Sequence, residues 1–233
     1  MCGRFAYYET EDIEERFGVT KRTGLHVGAS YNIAPGQVVP VIHGKHGDIV
    51  VEGMRWGYLP SWAKDEKIGY RMINARDDAV EVKPAWRGGI RHGRCLIPAN
   101  GFYEWKKDAR GKGRIPFFIR PTHERTFAMA GISNIWTAPD GSEIPTFAII
   151  TTSACKEMED IHDRMPVILE ESEEMEWLSA NTGQKELSRL LKPYSGGLEV
   201  MQVSTAVNSA KHNTSHLVQA LPDNEEAAER EPQ

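Results

Sequence analysis

Five stretches of the 233-residue chain gather side chains that could do chemistry. The chain opens Met-Cys-Gly-Arg, so removal of Met1 would leave Cys2 with a free α-amine and a thiol on adjacent carbons. An α-amine titrates near 7.7–8.0 against about 10.4 for lysine, so at pH 7 its neutral, nucleophilic fraction is larger by a factor on the order of a few hundred. The plainer reading of Cys2 is a small residue at a loose chain end. "MINARDDA" sets Asn74 and Arg76 two apart, which in a strand projects both from one face. "PANGFYEW" holds Glu104 between Tyr103 and Trp105, an aromatic shell expected to desolvate the carboxyl and raise its pKa. "DIHDRMPVIL" puts His162 and Arg164 just ahead of an apolar strand opening at Pro166, and "MRWGYLPSWA" offers Trp56, Tyr58 and Trp62 with Pro60 as a stiff aromatic surface. Each stretch also has a structural reading. Asn74 could cap a turn, Glu104 pair with a lysine, His162 sit on the surface and the tryptophans fill a core. None matches a metal-ligand spacing, a P-loop or a nucleophile elbow.

The elements that must position these residues are mostly strands. "VVPVIH", "RCLIPAN", "GFYEWKK", "PFFIR", "FAMAGI" and "TFAIITT" are short β-branched and aromatic runs punctuated by Gly, Pro and Asn. Helices are expected over "TEDIEERFG", capped at Thr10 and stopped at Gly18, over "ESEEMEWLS", and over "TGQKELSRLLKP" before Pro193. "KPAWRGGIRHG" reads as a weak helix damaged by Gly88 and Gly89. This order predicts an α+β fold in a single domain over 2–222, followed by a disordered acidic tail over 223–233. Hydrophobic content of 40% and charged content of 26% suit a soluble globular protein. No apolar run is long enough to span a membrane and no secretory signal opens the chain. Three cysteines (Cys2, Cys95, Cys155) without C-x-x-C spacing argue against disulfides or zinc and for the cytoplasm. The net charge of −5 hides an asymmetry: 15 Lys/Arg against 8 Asp/Glu over Val51–Arg120, and 2 against 9 over Lys156–Leu178. Such a split fits one face for an anionic partner on an acidic body, or two unrelated solvated surfaces.

Taken in order, MCGR, "NIAPGQ", "RWGYLPSW", "NARDD", "RCLIPANGFYEW", "FAMAGI", "HDRMPVIL" and "VSTAVNSAK" resemble the SOS response-associated peptidase (SRAP) family. The likeness covers roughly Cys2 to Leu221. It implies a SRAP-type domain with a barrel-like, antiparallel or mixed sheet core flanked by short helices. It also implies a protein that shields abasic sites in single-stranded DNA by crosslinking to them. In that chemistry the Cys2 amine attacks the open-chain aldehyde of the abasic sugar, and the thiol closes a thiazolidine ring.

The resemblance further implies catalytic roles for Cys2, Asn74, Glu104 and His162. Asn74 would hold the terminus or the sugar, Glu104 would shuttle protons, and His162 would protonate the sugar ring oxygen. DNA contacts are implied for Arg4, Asn32, Pro35, Trp56, Pro60, Trp62, Arg76 and Arg87, with Lys83 as a further phosphate contact. Pro60 and Trp62 would form a wedge against a second strand. No metal or cofactor is implied. The expected partners are single-stranded DNA with abasic sites and single-strand/double-strand junctions. A monomer is expected, away from membranes and nucleoid-associated when on DNA. Two other classes share features with the sequence: an N-terminal-nucleophile amidohydrolase, whose thiol attacks an amide, and a module that binds modified or single-stranded DNA without bond chemistry.

Overall fold

The computed structural model describes residues 2–23, 28–108 and 113–222; the expected acidic tail and Met1 lie outside them. The strands are β1 (Phe5–Tyr7), β2 (Lys21–Thr23), β3 (Ser30–Ile33), β4 (Val38–Lys45), β5 (Asp48–Trp56), β6 (Asn74–Arg76) and β7 (Arg94–Ala99). They continue with β8 (Gly101–Lys107), β9 (Arg114–Pro121), β10 (Phe127–Thr137), β11 (Glu143–Ser153), β12 (Arg164–Pro166), β13 (Ile168–Leu169) and β14 (Leu198–Gln202). The helices are α1 (Ile13–Phe17), α2 (Asp77–Val80), α3 (Pro84–His92), α4 (Glu171–Leu178) and α5 (Gln184–Leu190). The fold is α+β, as the sequence predicts.

β5, β4, β7, β10 and β11 pair in turn and antiparallel, and β11 then pairs parallel with β5 at Thr146↔Arg55 and Phe147↔Trp56. That last pairing closes a five-stranded mixed barrel. Its interior is filled by buried side chains that include Val41, Trp56, Met129 and Phe147. A second sheet runs β14-β9-β8-β1-β3. β1 enters it between β8 and β3, with Phe5 opposite Phe102 and Ala6 opposite Gly101. Asn100 fixes the exit from β1: its Oδ1 accepts the Tyr8 and Glu9 N–H groups at 2.7 and 3.1 Å, and its Nδ2 donates to the Arg125 carbonyl at 2.7 Å. Gly101 follows it because a Cβ there would lie 2.1 Å from Phe118 Cζ, well inside contact distance.

Several local expectations are revised. α1 starts at Ile13 with Asp12 at its N-cap and no side-chain cap, so Thr10 does not cap it. α3 forms in spite of its glycines, and Gly89 is required there. A Cβ would meet Ile132 Cβ at 3.0 Å, so glycine lets the helix lie directly on β10. Three acids of the acidic run, all on α4, pair with basic side chains of the fold, while Glu157, Glu159, Asp160, Asp163 and Glu171 stay exposed. Glu174 takes Arg16 through two hydrogen bonds of 2.8 Å, Glu173 meets Lys192 at 2.7 Å, and Glu176 meets Arg189 at 2.7 Å.

Candidate active site

The threading of β1 places the amino-terminal segment beside β8. Continuing the register, the Tyr103 N–H donates to the Arg4 carbonyl at 2.9 Å, which lays Cys2 and Gly3 alongside Glu104. Cys2 is fully buried. Its thiol faces the Arg4 carbonyl at 3.7 Å, and its own carbonyl accepts a 2.7 Å hydrogen bond from Asn74 Nδ2. Burial pushes the Cys2 thiol well above its ordinary pKa, and the nearby Glu104 carboxylate pushes in the same direction. A neutral thiol is therefore the resting form. Burial likewise raises Glu104, while His162 pulls against that rise. Cys2, Asn74 and Glu104 thus converge, and His162 lies within electrostatic reach of Glu104.

The cause of the Glu104 burial differs from the sequence expectation. Successive side chains of a strand point to opposite faces. Tyr103 and Trp105 accordingly pack in a separate cluster with Ala6, Phe118 and Val207, away from Glu104. The inserted amino-terminal segment, not the flanking aromatics, lies along Glu104.

His162 sits in the turn before β12. Its Nδ1 accepts the Arg164 N–H at 3.0 Å, so the neutral ring carries its proton on Nε2. The Asp163 carboxylate, 2.9 Å from the same Nδ1, is the partner available when the ring takes a second proton. A groove lined by Trp105, Lys106, Lys107, Arg114, His162 and Asp163 leads away from this point. It is basic on the hairpin side and acidic on the other.

The residues expected to contact DNA divide into two groups. Arg76, Arg87 and Trp62 are exposed, Trp62 at 59%, and Pro35 is partly exposed. Arg76 is held by Asp78 through bonds of 3.0 and 2.6 Å, so a phosphate must share or displace that carboxylate. Trp56, Asn32 and Pro60, also expected as DNA contacts, are buried and present no open surface in this structure. Trp56 belongs to the barrel core and donates Nε1–H to the Ile73 carbonyl at 2.9 Å. Pro60 anchors the turn that carries Trp62, accepting the Ala63 N–H at 2.9 Å.

Asn32 is a bracket: its Nδ2 donates to the Val207, Ser209 and His212 carbonyls, and its Oδ1 accepts from Arg4 Nη1 at 2.7 Å. Arg4 also donates to the Val207 carbonyl at 2.8 Å, and burial opposes its charge. Sequence reasoning did not assign a role to the segment around Val207, and its Asn208 Oδ1 accepts Trp105 Nε1–H at 2.7 Å. The run "VSTAVNSAK" carried the signal, since Val207 and Asn208 lie inside it.

Arg4 Nε, Asn74 Oδ1 and Arg164 Nε are buried with no hydrogen-bond partner among the described residues. Buried polar atoms are ordinarily paired; these three exceptions belong to residues of the site, and Tyr7 Oη and Glu124 Oε2 are further exceptions elsewhere in the fold. Among the described residues no group of His, Cys, Asp and Glu could hold a metal ion, and no helix is long and apolar enough to cross a membrane.

The family model described as SOS response associated peptidase (SRAP) matches residues 1–210. The chain belongs to the SRAP family. It is 44% identical over 226 residues to "Abasic site processing protein YoqW" of Bacillus subtilis (strain 168), covering 94% of this chain and all of that one. It is 35% identical to "Abasic site processing protein HMCES" of Gallus gallus over 79% of this chain and 64% of that longer one. A solved structure, a protein from Bacteroides thetaiotaomicron, superposes with a TM-score of 0.85 at 26% identity, covering 95% of this chain and all of that one.

Proposed function

We propose that this SRAP-family chain recognises abasic sites in single-stranded DNA and bonds to them through Cys2 once Met1 is removed. The names of its relatives supply the substrate class. The observation that carries the chemistry is the burial of Cys2 between Asn74, which grips its carbonyl at 2.7 Å, and Glu104.

The α-amine adds to the aldehyde carbon of the opened sugar to give a carbinolamine. Glu104, whose protonated form burial favours, gives its proton to the departing hydroxyl, which leaves as water. The thiol sulfur then bonds to the iminium carbon, and the thiol proton returns to the Glu104 carboxylate. The sum is aldehyde plus aminothiol giving thiazolidine plus one water. His162 serves the step before, placing a proton on the sugar ring oxygen as the ring opens. Arg76 and Arg87 supply exposed cations for flanking phosphates, and Trp62 supplies an exposed face for stacking a base.

The test is intact-mass measurement and a denaturing gel after mixing with an abasic single strand. The expected product has the mass of protein without Met1 plus DNA, less one water. Cys2→Ala is expected to give no heat-stable band, because an imine without the thiol hydrolyses. A full yield of stable adduct from Cys2→Ala would overturn the proposal.

A further inference from the structure

Asp77 and Arg164 form an ion pair that the proposed chemistry does not use directly. Asp77 follows β6 and stands three residues after Asn74; Arg164 opens β12 and stands two residues after His162. Both strands flank β11. At Thr151 the partner on one edge is Arg76 and the partner on the other is Pro166. The pair therefore crosses the end of β11, joining the strand that carries Asn74 to the turn that carries His162. Arg164 Nη2 lies 2.8 Å from Asp77 Oδ1, and the two side chains are only 12% and 22% exposed. Asp77 Oδ2 accepts the Thr152 hydroxyl at 2.7 Å, while the same Arg164 nitrogen also donates to the Thr151 carbonyl. Both carboxylate oxygens are thus engaged, and both contacts are directional.

The staple ends on the group it would control. The backbone N–H of Arg164 is the donor to His162 Nδ1, so where Arg164 is held decides where the imidazole points. We propose that Asp77, acting through Arg164, is a positioning residue that fixes His162 against the Asn74–Cys2 side of the site. This rests on the reading of the site as an abasic-site crosslinking centre. A surface ion pair would contribute little here, but a half-buried pair with every bond directional resists the shift of about 1 Å that can cost a reaction on the order of a hundredfold.

The test follows release, which runs the proposed steps backwards: His162 takes the proton back as the freed sugar closes, and that closure draws the release forward. A crosslink is preformed on one abasic single strand, an excess of a second is added, and exchange is read on a denaturing gel. This step is unimolecular and independent of DNA affinity. Asp77→Asn keeps the shape and removes the charge; it is expected to slow exchange about ten- to a hundredfold, and no further than His162→Ala does. The double variant Asp77→Asn/His162→Ala is expected to match His162→Ala alone, because the first change acts through the second residue. Losses that multiply in the double variant would overturn the inference, as would parent-rate exchange with altered DNA affinity only. If the parent forms no covalent adduct, the reading of the reaction fails; if the parent exchanges and Asp77→Asn matches it, only the positioning role fails. Should Asp77→Asn lose its thermal transition, Thr152→Val, which withdraws the hydroxyl from Asp77 Oδ2, carries the same comparison, and a parent rate there overturns the inference.

Discussion

Replacing Asn32 by alanine separates a bracket from a DNA contact. The side chain is fully buried and bridges Arg4, near the start of the chain, to the segment from Val207 to His212. Two bonds to carbonyls, 2.7 Å to His212 and 3.1 Å to Ser209, are worth about 1 kcal/mol each, and the bond from the Arg4 guanidinium about 1.5–3 kcal/mol. Arg4 keeps its second acceptor, the Val207 carbonyl, which limits the loss. The expected destabilisation is about 3–4 kcal/mol, and for a chain of this size each kcal/mol lowers the melting temperature by about 2–4 °C. Asn32→Ala should therefore melt roughly 6–16 °C below the parent by calorimetry. Crosslinking should fall with it, since Arg4 and the segment around Val207 lose their common anchor. A melting temperature within about 2 °C of the parent, with DNA affinity alone reduced, would refute the burial argument and return Asn32 to the DNA interface.

Glu104→Gln should act on stability and chemistry in opposite directions. The folded-state pKa of Glu104 is raised by burial, so its contribution to stability is full below the ordinary carboxylate range and fades as pH rises through the raised value. The variant should gain melting temperature over the parent between pH 4 and pH 8 while crosslinking about 10²–10⁴-fold more slowly; a pH-independent difference, or an unchanged rate, would count against it. Trp62→Ala, at a site 59% exposed, should fold as the parent does yet lose about 1–3 kcal/mol of single-strand binding. Fluorescence anisotropy at one fixed salt concentration measures this, and an unchanged preference for single strand over intact duplex would remove Trp62 from the wedge.

The sequence determined what is local. The runs from "RCLIPAN" to "TFAIITT" become β7 to β11, because their alternation and their Gly, Pro and Asn punctuation act over a few residues. The two-residue spacing of Asn74 and Arg76 survives as a strand with Ala75 buried between them. The motifs around Cys2, Glu104 and His162 were visible for the same reason: each is a short stretch whose residue types are enough to suggest a reaction.

Tertiary structure decided what depends on distant partners. Trp56 and Asn32 look like binding residues in a list of polar and aromatic side chains, but closure of the barrel buries the first and the returning segment around Val207 covers the second. Glu104 is buried as expected, yet by the inserted amino-terminal segment, because strand alternation turns Tyr103 and Trp105 to the other face. The barrel itself closes through a parallel pairing of β5 with β11, and Asp77 meets Arg164 across β11 from 87 positions away in the chain. No periodicity reports such a contact. Loop-closure entropy opposes it, and only the shared burial of the strands it joins makes it favourable.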